Sequence, residues 1–256
     1  MSGPSVAELR RVAQPPGTMD RESGEHWAGS LYMRRISPYL TWLLAKTPIS
    51  PNQATWLMIV SGLAAAVVLA LPGLWAAVLS ALLVQLYLLL DCSDGELARW
   101  TGRTSITGVY LDRVGHYLCE AALLIGLGFR ASGEVLPDWY TVLGFATALG
   151  AILIKAETDL VDVARARAGR PAATEVAAGQ LRSGLLALGR RILGATRFHR
   201  VVQAVELSIL AVVAAVVDVF AGDLQATRVL LVVCFAAAAL QTVLHLVSIL
   251  ASRRLA

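Results

Sequence analysis

Six stretches of this chain are each long and apolar enough to cross a bilayer, which leaves little freedom in what it can fold into. They run roughly over residues 54–71, 73–97, 107–130, 139–160, 201–221 and 227–250. A spanning helix needs ~20 largely apolar residues to cross a ~30 Å hydrocarbon core. The breaks between the stretches are turn chemistry: Pro72-Gly73, Thr101-Gly102, Ser132-Gly133 through Pro137, and Ala221-Gly222-Asp223. Composition agrees, with 57% hydrophobic and 16% charged residues, against about 25% charged in a soluble domain. The expected fold is therefore all-α: a polytopic membrane protein with a segment over 1–50 and a six-helix membrane domain over 51–256.

The basic residues set the expected orientation. Arg10, Arg11, Arg21, Arg34, Arg35 and Lys46 precede the first span, Arg99 and Arg103 follow the second, and eight arginines lie between the fourth and fifth. Arg253 and Arg254 end the chain, whereas the opposite side keeps only Arg130 and Arg228. Positive residues mark the cytoplasmic side, so both termini are expected there. The net charge of +4 is explained by topology and anionic lipid, and no nucleic-acid partner is implied. Cys92, Cys119 and Cys234 form no CxxC pair, which argues against a disulfide framework or a structural zinc. Residues 1–50 lack the pattern of a signal peptide.

Two segments read as lying on the membrane. In "HWAGSLYMRRISPYLTWLLAK" (His26 to Lys46), Trp27, Leu31, Tyr39, Trp42 and Leu43 mix with arginines. This suits an N-terminal interfacial amphipathic helix, with Pro38 expected to bend it. "GQLRSGLLALGRRILGATRFHR" combines an apolar face with basic residues. It reads as a basic helix gripping phospholipid, or as a source of phosphate ligands in Arg190, Arg191, Arg197 or Arg200.

Asp91, Asp94 and Asp112 stand in or beside this apolar sequence, although an aspartate at a spanning-helix centre costs ~2.5–3.5 kcal/mol on insertion scales. Asp91 and Asp94, three apart, share a helix face, and Gly108, Asp112 and His116, spaced by four, form another one-sided row. Both rows fall near the cytoplasmic ends of adjacent spans. If they face each other, several carboxylates converge, an arrangement that is stable when a cation neutralises it. Oxygen ligands select Mg²⁺, Mn²⁺ or Ca²⁺, and paired divalent ions are a common device for in-line attack at phosphorus. Arg99 is placed to steady a phosphate. Gly95 and Gly108 leave room for close backbone approach, and Ser105 and Thr107 offer hydroxyls or helix caps. The competing structural reading is salt bridging between helices, with Arg99 or Arg113 on an aspartate.

The run Asp91-x2-Asp94-Gly95-x2-Ala98-Arg99-x8-Gly108-x3-Asp112-x3-His116 resembles the signature of the CDP-alcohol phosphotransferase family, D-x2-D-G-x2-A-R-x8-G-x3-D-x3-D. Every fixed position but the last matches, with every gap preserved. "PISPNQATW" (Pro48 to Trp56) is also similar to a Pro-Asn-x-x-Thr entry seen in that family. The resemblance implies that Asp91, Asp94 and Asp112 bind two divalent metals, Mg²⁺ or Mn²⁺. It implies contacts from Gly95, Arg99 and Gly108 to a CDP moiety, with Asn52 and Thr55 near the nucleotide or capping the first span. The implied reaction, part of phospholipid synthesis, displaces CMP from a CDP-linked donor, often CDP-diacylglycerol, by an acceptor hydroxyl. A homodimer is expected on the same ground.

In the family the last signature position is an aspartate, thought to be both metal ligand and proton acceptor; here it is His116. Three readings stand open. His116 is the base, suited to neutral pH, with a metal preference moved towards Mn²⁺ and Glu120 on its other imidazole nitrogen. Alternatively Glu120, ~6 Å further along the helix, replaces the missing carboxylate. In the third, transfer activity is lost and the chain binds nucleotide or a partner only. From a different class comes a transporter using intramembrane carboxylates, which needs neither the glycines nor the arginine at these spacings. Lys155, Glu157, Asp159 and Asp162 read as a charged helix end or an acceptor pocket, and Glu206 as a functional contact or an ion pair. Asp218 and His245 read as structural, and His26 and His199 have no partner at ligand spacing. Among acceptors, glycerol phosphate, inositol phosphate and serine remain open, with the arginine-rich segment favouring a phosphorylated one.

Overall fold

A computed structural model describes residues 5–15, 28–134, 136–171, 201–252 and 254–255. His26, Trp27, His199 and the basic segment with Arg190, Arg191, Arg197 and Arg200 lie outside the described residues. The described chain is helical: α1 (Val6–Ala13), a π-helical turn (Gly29–Met33) leading into α2 (Arg34–Leu44), then α3 (Pro51–Leu69), α4 (Leu74–Thr101), α5 (Ile106–Ser132), α6 (Trp139–Arg167), α7 (Ala204–Ala221) and α8 (Gln225–Ala251). Helices satisfy their own backbone groups, which the hydrocarbon core demands. Five of them, α3, α4, α6, α7 and α8, are long and apolar enough to cross a membrane. The segment expected as the sixth span forms the helix α5 but is not among these five. Its 27 residues would reach, but Asp112, Arg113, Glu120 and Arg130 dilute its apolar character.

Local chemistry sets the boundaries. Ser50, not Asn52 or Thr55, caps α3: its hydroxyl accepts from the Gln53 N–H, Gln53 answers in a capping box, and Pro51 takes the first turn. Ser105 caps α5 by accepting from the Gly108 N–H at 3.0 Å. Gly102 and Gly133, with φ of 64° and 77°, end α4 and α5 in the left-handed conformation that a residue without Cβ adopts freely. Asp218 bonds the Ala226 and Thr227 N–H groups at the start of α8, the structural role expected of it.

The six long helices close a ring: α4 packs on α3, α3 on α5, α5 on α6, α6 on α8, α8 on α7 and α7 back on α4. Met58, Tyr87, Leu124, Leu127, Leu207 and Leu231 belong to the buried core, while Val67, Leu82, Leu149 and Val213 point outward, as lipid-facing residues do. Small residues allow the close crossings. A Cβ on Gly128 would meet the Gly144 Cα at 2.9 Å, so α5 and α6 touch backbone to backbone. Trp75 and Trp139, exposed at the starts of α4 and α6, suit an interfacial aromatic belt. Buried Arg130 ties down the α3–α4 turn through the Leu71 and Gly73 carbonyls at 2.9 and 3.0 Å.

Although consecutive, α4 and α5 each pack on α3 rather than extensively on each other. From Leu74 to Asp91 the helix climbs about 26 Å, so the acidic residues of α4 lie far from the α3–α4 turn. There they meet the first turns of α5. The N-terminal elements α1 and α2 both pack on α4, and α2 runs through Pro38.

Candidate metal and nucleotide site

Three of the four expected ligands converge. Carboxylate oxygens of Asp91 and Asp112 and a ring nitrogen of His116 all lie within 4.8 Å of one another. His116 Nε2 stands 3.1 Å from Asp91 Oδ1 and 3.5 Å from Asp112 Oδ1. Asp112 and His116 are one turn apart on α5, and Asp91 reaches across from α4. All three are partly exposed. Two carboxylates with an imidazole form a donor set that fits a divalent cation, with Mn²⁺ tolerating the nitrogen better than Mg²⁺ does. The structure thus offers these residues a place for the metal that the family resemblance implies.

Asp94 belongs to a second group. It is buried, its Oδ2 accepts from the Thr55 hydroxyl at 2.6 Å and its Oδ1 from the Gly95 N–H. Thr55 is itself buried, so α3 orients this carboxylate from behind. A third group gathers at the start of α5. The Ser105 hydroxyl donates to Asn52 Oδ1 at 3.4 Å, and a Cβ on Gly108 would meet Asn52 Oδ1 at 3.1 Å and Ser105 Oγ at 3.2 Å. Asn52, Ser105 and Gly108, expected to bind substrate, therefore share one spot. At Gly95 the space left by the missing side chain holds the Arg99 guanidinium: a Cβ there would meet Arg99 Nη1 at 3.3 Å. Arg99 Nε donates to the Ala13 carbonyl at 2.6 Å, which draws the N-terminal α1 up to the signature.

Several partners were not expected. The Tyr87 hydroxyl, one turn before Asp91, is hydrogen-bonded to His116 Nδ1, the place expected for Glu120. Glu120 is buried and pairs with Lys155 of α6 at 3.1 Å; pointing to α6, it does not back the imidazole. Arg113 bonds Asp159 at 3.1 Å, and the Tyr117 hydroxyl donates to the same carboxylate at 3.0 Å. The end of α6 is thus stitched to α5. His245 meets the Thr158 hydroxyl at 2.9 Å. Glu96, inside the signature at a variable position, is fully buried. It accepts from Gln14 Nε2 at 2.8 Å, the Ser37 hydroxyl at 2.5 Å and the Thr41 hydroxyl at 2.7 Å. The face that α2 buries is consequently mixed, with Ser37 and Thr41 inward beside Pro38 and Leu44, and Ile36, Tyr39 and Leu43 outward. Four-residue spacing from Asp91 was the available signal for Tyr87; none marks Glu96 beyond its lying between two signature residues.

A ring of apolar helices with a carboxylate–imidazole cluster between two of them is the architecture of a polytopic integral membrane protein. The chain belongs to the CDP-alcohol phosphatidyltransferase family, whose model matches residues 48–252. It is 32% identical over 142 residues to the bifunctional IPC transferase and DIPP synthase of Thermococcus kodakarensis, covering 56% of this chain and 31% of that protein. To the archaetidylinositol phosphate synthase of Aeropyrum pernix it is 39% identical over 122 residues, 42% of this chain and 60% of the relative. To the phosphatidylinositol phosphate synthase of Streptomyces avermitilis it is 27% identical over 133 residues, about half of each protein. The chain thus spans from 31% to 60% of the length of these relatives.

Proposed function

We propose that the protein transfers a phosphatidyl group from CDP-diacylglycerol to an alcohol, releasing CMP, and that the alcohol is an inositol phosphate. The convergence of Asp91, Asp112 and His116 at the meeting of α4 and α5 carries the reading. The acceptor follows from the relatives, two of which are named as synthases of inositol-phosphate lipids. All six long helices cross the membrane in this reading, α5 included, with α2 along the interface and both termini and the site on the cytoplasmic side. The family's homodimer is adopted with it.

Asp91, Asp94, Asp112 and His116 would hold two divalent cations, Mg²⁺ or Mn²⁺. Bound there, such ions neutralise the carboxylates and polarise phosphoryl oxygens. Asn52, Thr55, Gly95, Arg99, Ser105 and Gly108 form the cradle for the nucleotide. Gly108 keeps the wall thin beside Asn52 and Ser105, and Arg99 presents a guanidinium suited to a phosphate. With the Nε2 lone pair of His116 turned to the cation, a free carboxylate oxygen of Asp112 takes the acceptor's proton. The acceptor oxygen bonds to the phosphorus that carries diacylglycerol, the bond from that phosphorus to the CMP oxygen breaks, and CMP leaves.

The test is CMP release by the purified protein from CDP-diacylglycerol, with inositol phosphate, glycerol phosphate or serine and either Mg²⁺ or Mn²⁺. Asp94→Asn should reduce turnover at least a hundredfold. Wild-type turnover in that variant, or none with any acceptor in the native protein, removes the reading.

A further inference from the structure

His116 is where this chain leaves its family's signature, and an imidazole needs something a carboxylate does not: a decision about which nitrogen carries the proton. Nε2 faces Asp91 and Asp112. While those carboxylates are uncompensated, Nε2 meets them as a proton donor. To act as ligand or base it must instead present its lone pair, and then the proton of the neutral ring sits on Nδ1. Whatever touches Nδ1 therefore governs whether Nε2 can work.

We infer that Tyr87 is a positioning residue for His116: it fixes the ring with Nε2 towards Asp91 and Asp112, and its hydroxyl accepts from Nδ1–H when a cation draws the Nε2 lone pair. Its hydroxyl bonds Nδ1, and being both donor and acceptor it serves that nitrogen protonated or bare. A carboxylate, the expected Glu120 for example, would only accept. Tyr87 is 2% exposed, so water cannot readily substitute for it. Its ring stands edge-on to the imidazole, at 88° with centroids 5.8 Å apart, which braces the imidazole plane. Gly62 on α3 leaves space chiefly for Cys119 and then for Tyr87, whose Cδ2 a Cβ there would meet at 3.1 Å. The inference rests on the metal reading of the cluster.

Manganese binding separates the two. Mn²⁺ is titrated by electron paramagnetic resonance into detergent-purified native protein, Tyr87→Phe, His116→Ala and the double variant, without substrates. Native protein should bind, and Tyr87→Phe should bind 10–100-fold more weakly, the usual effect of removing a group behind a ligand. The double variant should bind no more weakly than His116→Ala, because the hydroxyl acts through the ring. In native protein saturated with Mg²⁺, ¹⁵N shifts of His116 should report protonated Nδ1. Native-like affinity in Tyr87→Phe overturns the tyrosine's role, as does an equal loss from Tyr87→Phe in the His116→Ala background, which would mark a packing effect. A protonated Nε2 in the Mg²⁺-loaded protein overturns it too. Native protein that binds no Mn²⁺ removes the metal reading and the inference together.

Discussion

Replacing Glu96 separates a hydrogen-bonding latch from mere filling of space. Its Oε1 accepts from Gln14 and Ser37, and its Oε2 from Thr41. In Glu96→Ala the three donors fare differently. Thr41 falls back on the Ser37 carbonyl, already 2.9 Å away. Gln14 keeps the Arg34 carbonyl at 2.7 Å and, being partly exposed, finds water. Ser37, fully buried, is stranded. One stranded donor at ~1–3 kcal/mol plus the weaker losses at Gln14 and Thr41 gives about 2–3 kcal/mol, all on the attachment of α1 and α2 to α4. Glu96→Gln should cost less than ~1 kcal/mol, because its amide oxygen still serves Gln14 and Ser37 while its NH₂ donates to the Thr41 oxygen. Hydrogen exchange by mass spectrometry reads this directly. Amides over Val6–Ala13 and Arg34–Leu44 should exchange roughly 30- to 150-fold faster in Glu96→Ala, those of α6 and α8 unchanged, and Glu96→Gln should resemble the native protein. Equal protection in both variants, or acceleration throughout the bundle, refutes the latch.

Other perturbations probe the site and its frame. Gly108→Ala sets a methyl 3.1–3.2 Å from Asn52 and Ser105; it should raise KM for the CDP donor several-fold with little change in melting temperature, as steady-state CMP release and a melt would show. Lys155→Met strands buried Glu120 and should destabilise by ~2 kcal/mol. That is below the 3–5 kcal/mol of a fully buried pair because Lys155 is 31% exposed; adding Glu120→Gln should recover much of the loss in a melting series. His116→Asp restores the family carboxylate and should shift the preferred cation from Mn²⁺ towards Mg²⁺, read from CMP release with each ion. An unchanged preference would deny His116 contact with the metal.

The helical class and the places of all six long helices were legible in the sequence, because length and hydropathy are local properties and the bilayer imposes one strong condition on each segment. Spacing along two helices likewise placed Asp91 and Asp94 on one row and Asp112 and His116 on another, since helical periodicity turns sequence separation into a face. What occupies the space between helices obeys no such rule. Periodicity offered His116 a partner in Glu120, four residues on, yet the crossing of α4 and α5 sets Tyr87 against Nδ1 while Glu120 faces Lys155 on α6. It offered α2 an apolar face for the membrane and nothing for the other side, where a single buried carboxylate on α4 draws Ser37 and Thr41 inward. It gave no sign that Thr55 of α3 would hold the Asp94 carboxylate from behind. A side chain's own helix decides the direction in which it leaves the axis. Only the packing of the neighbouring helices decides which donor or acceptor waits there, and in a low-dielectric interior that pairing sets what each buried polar group can do.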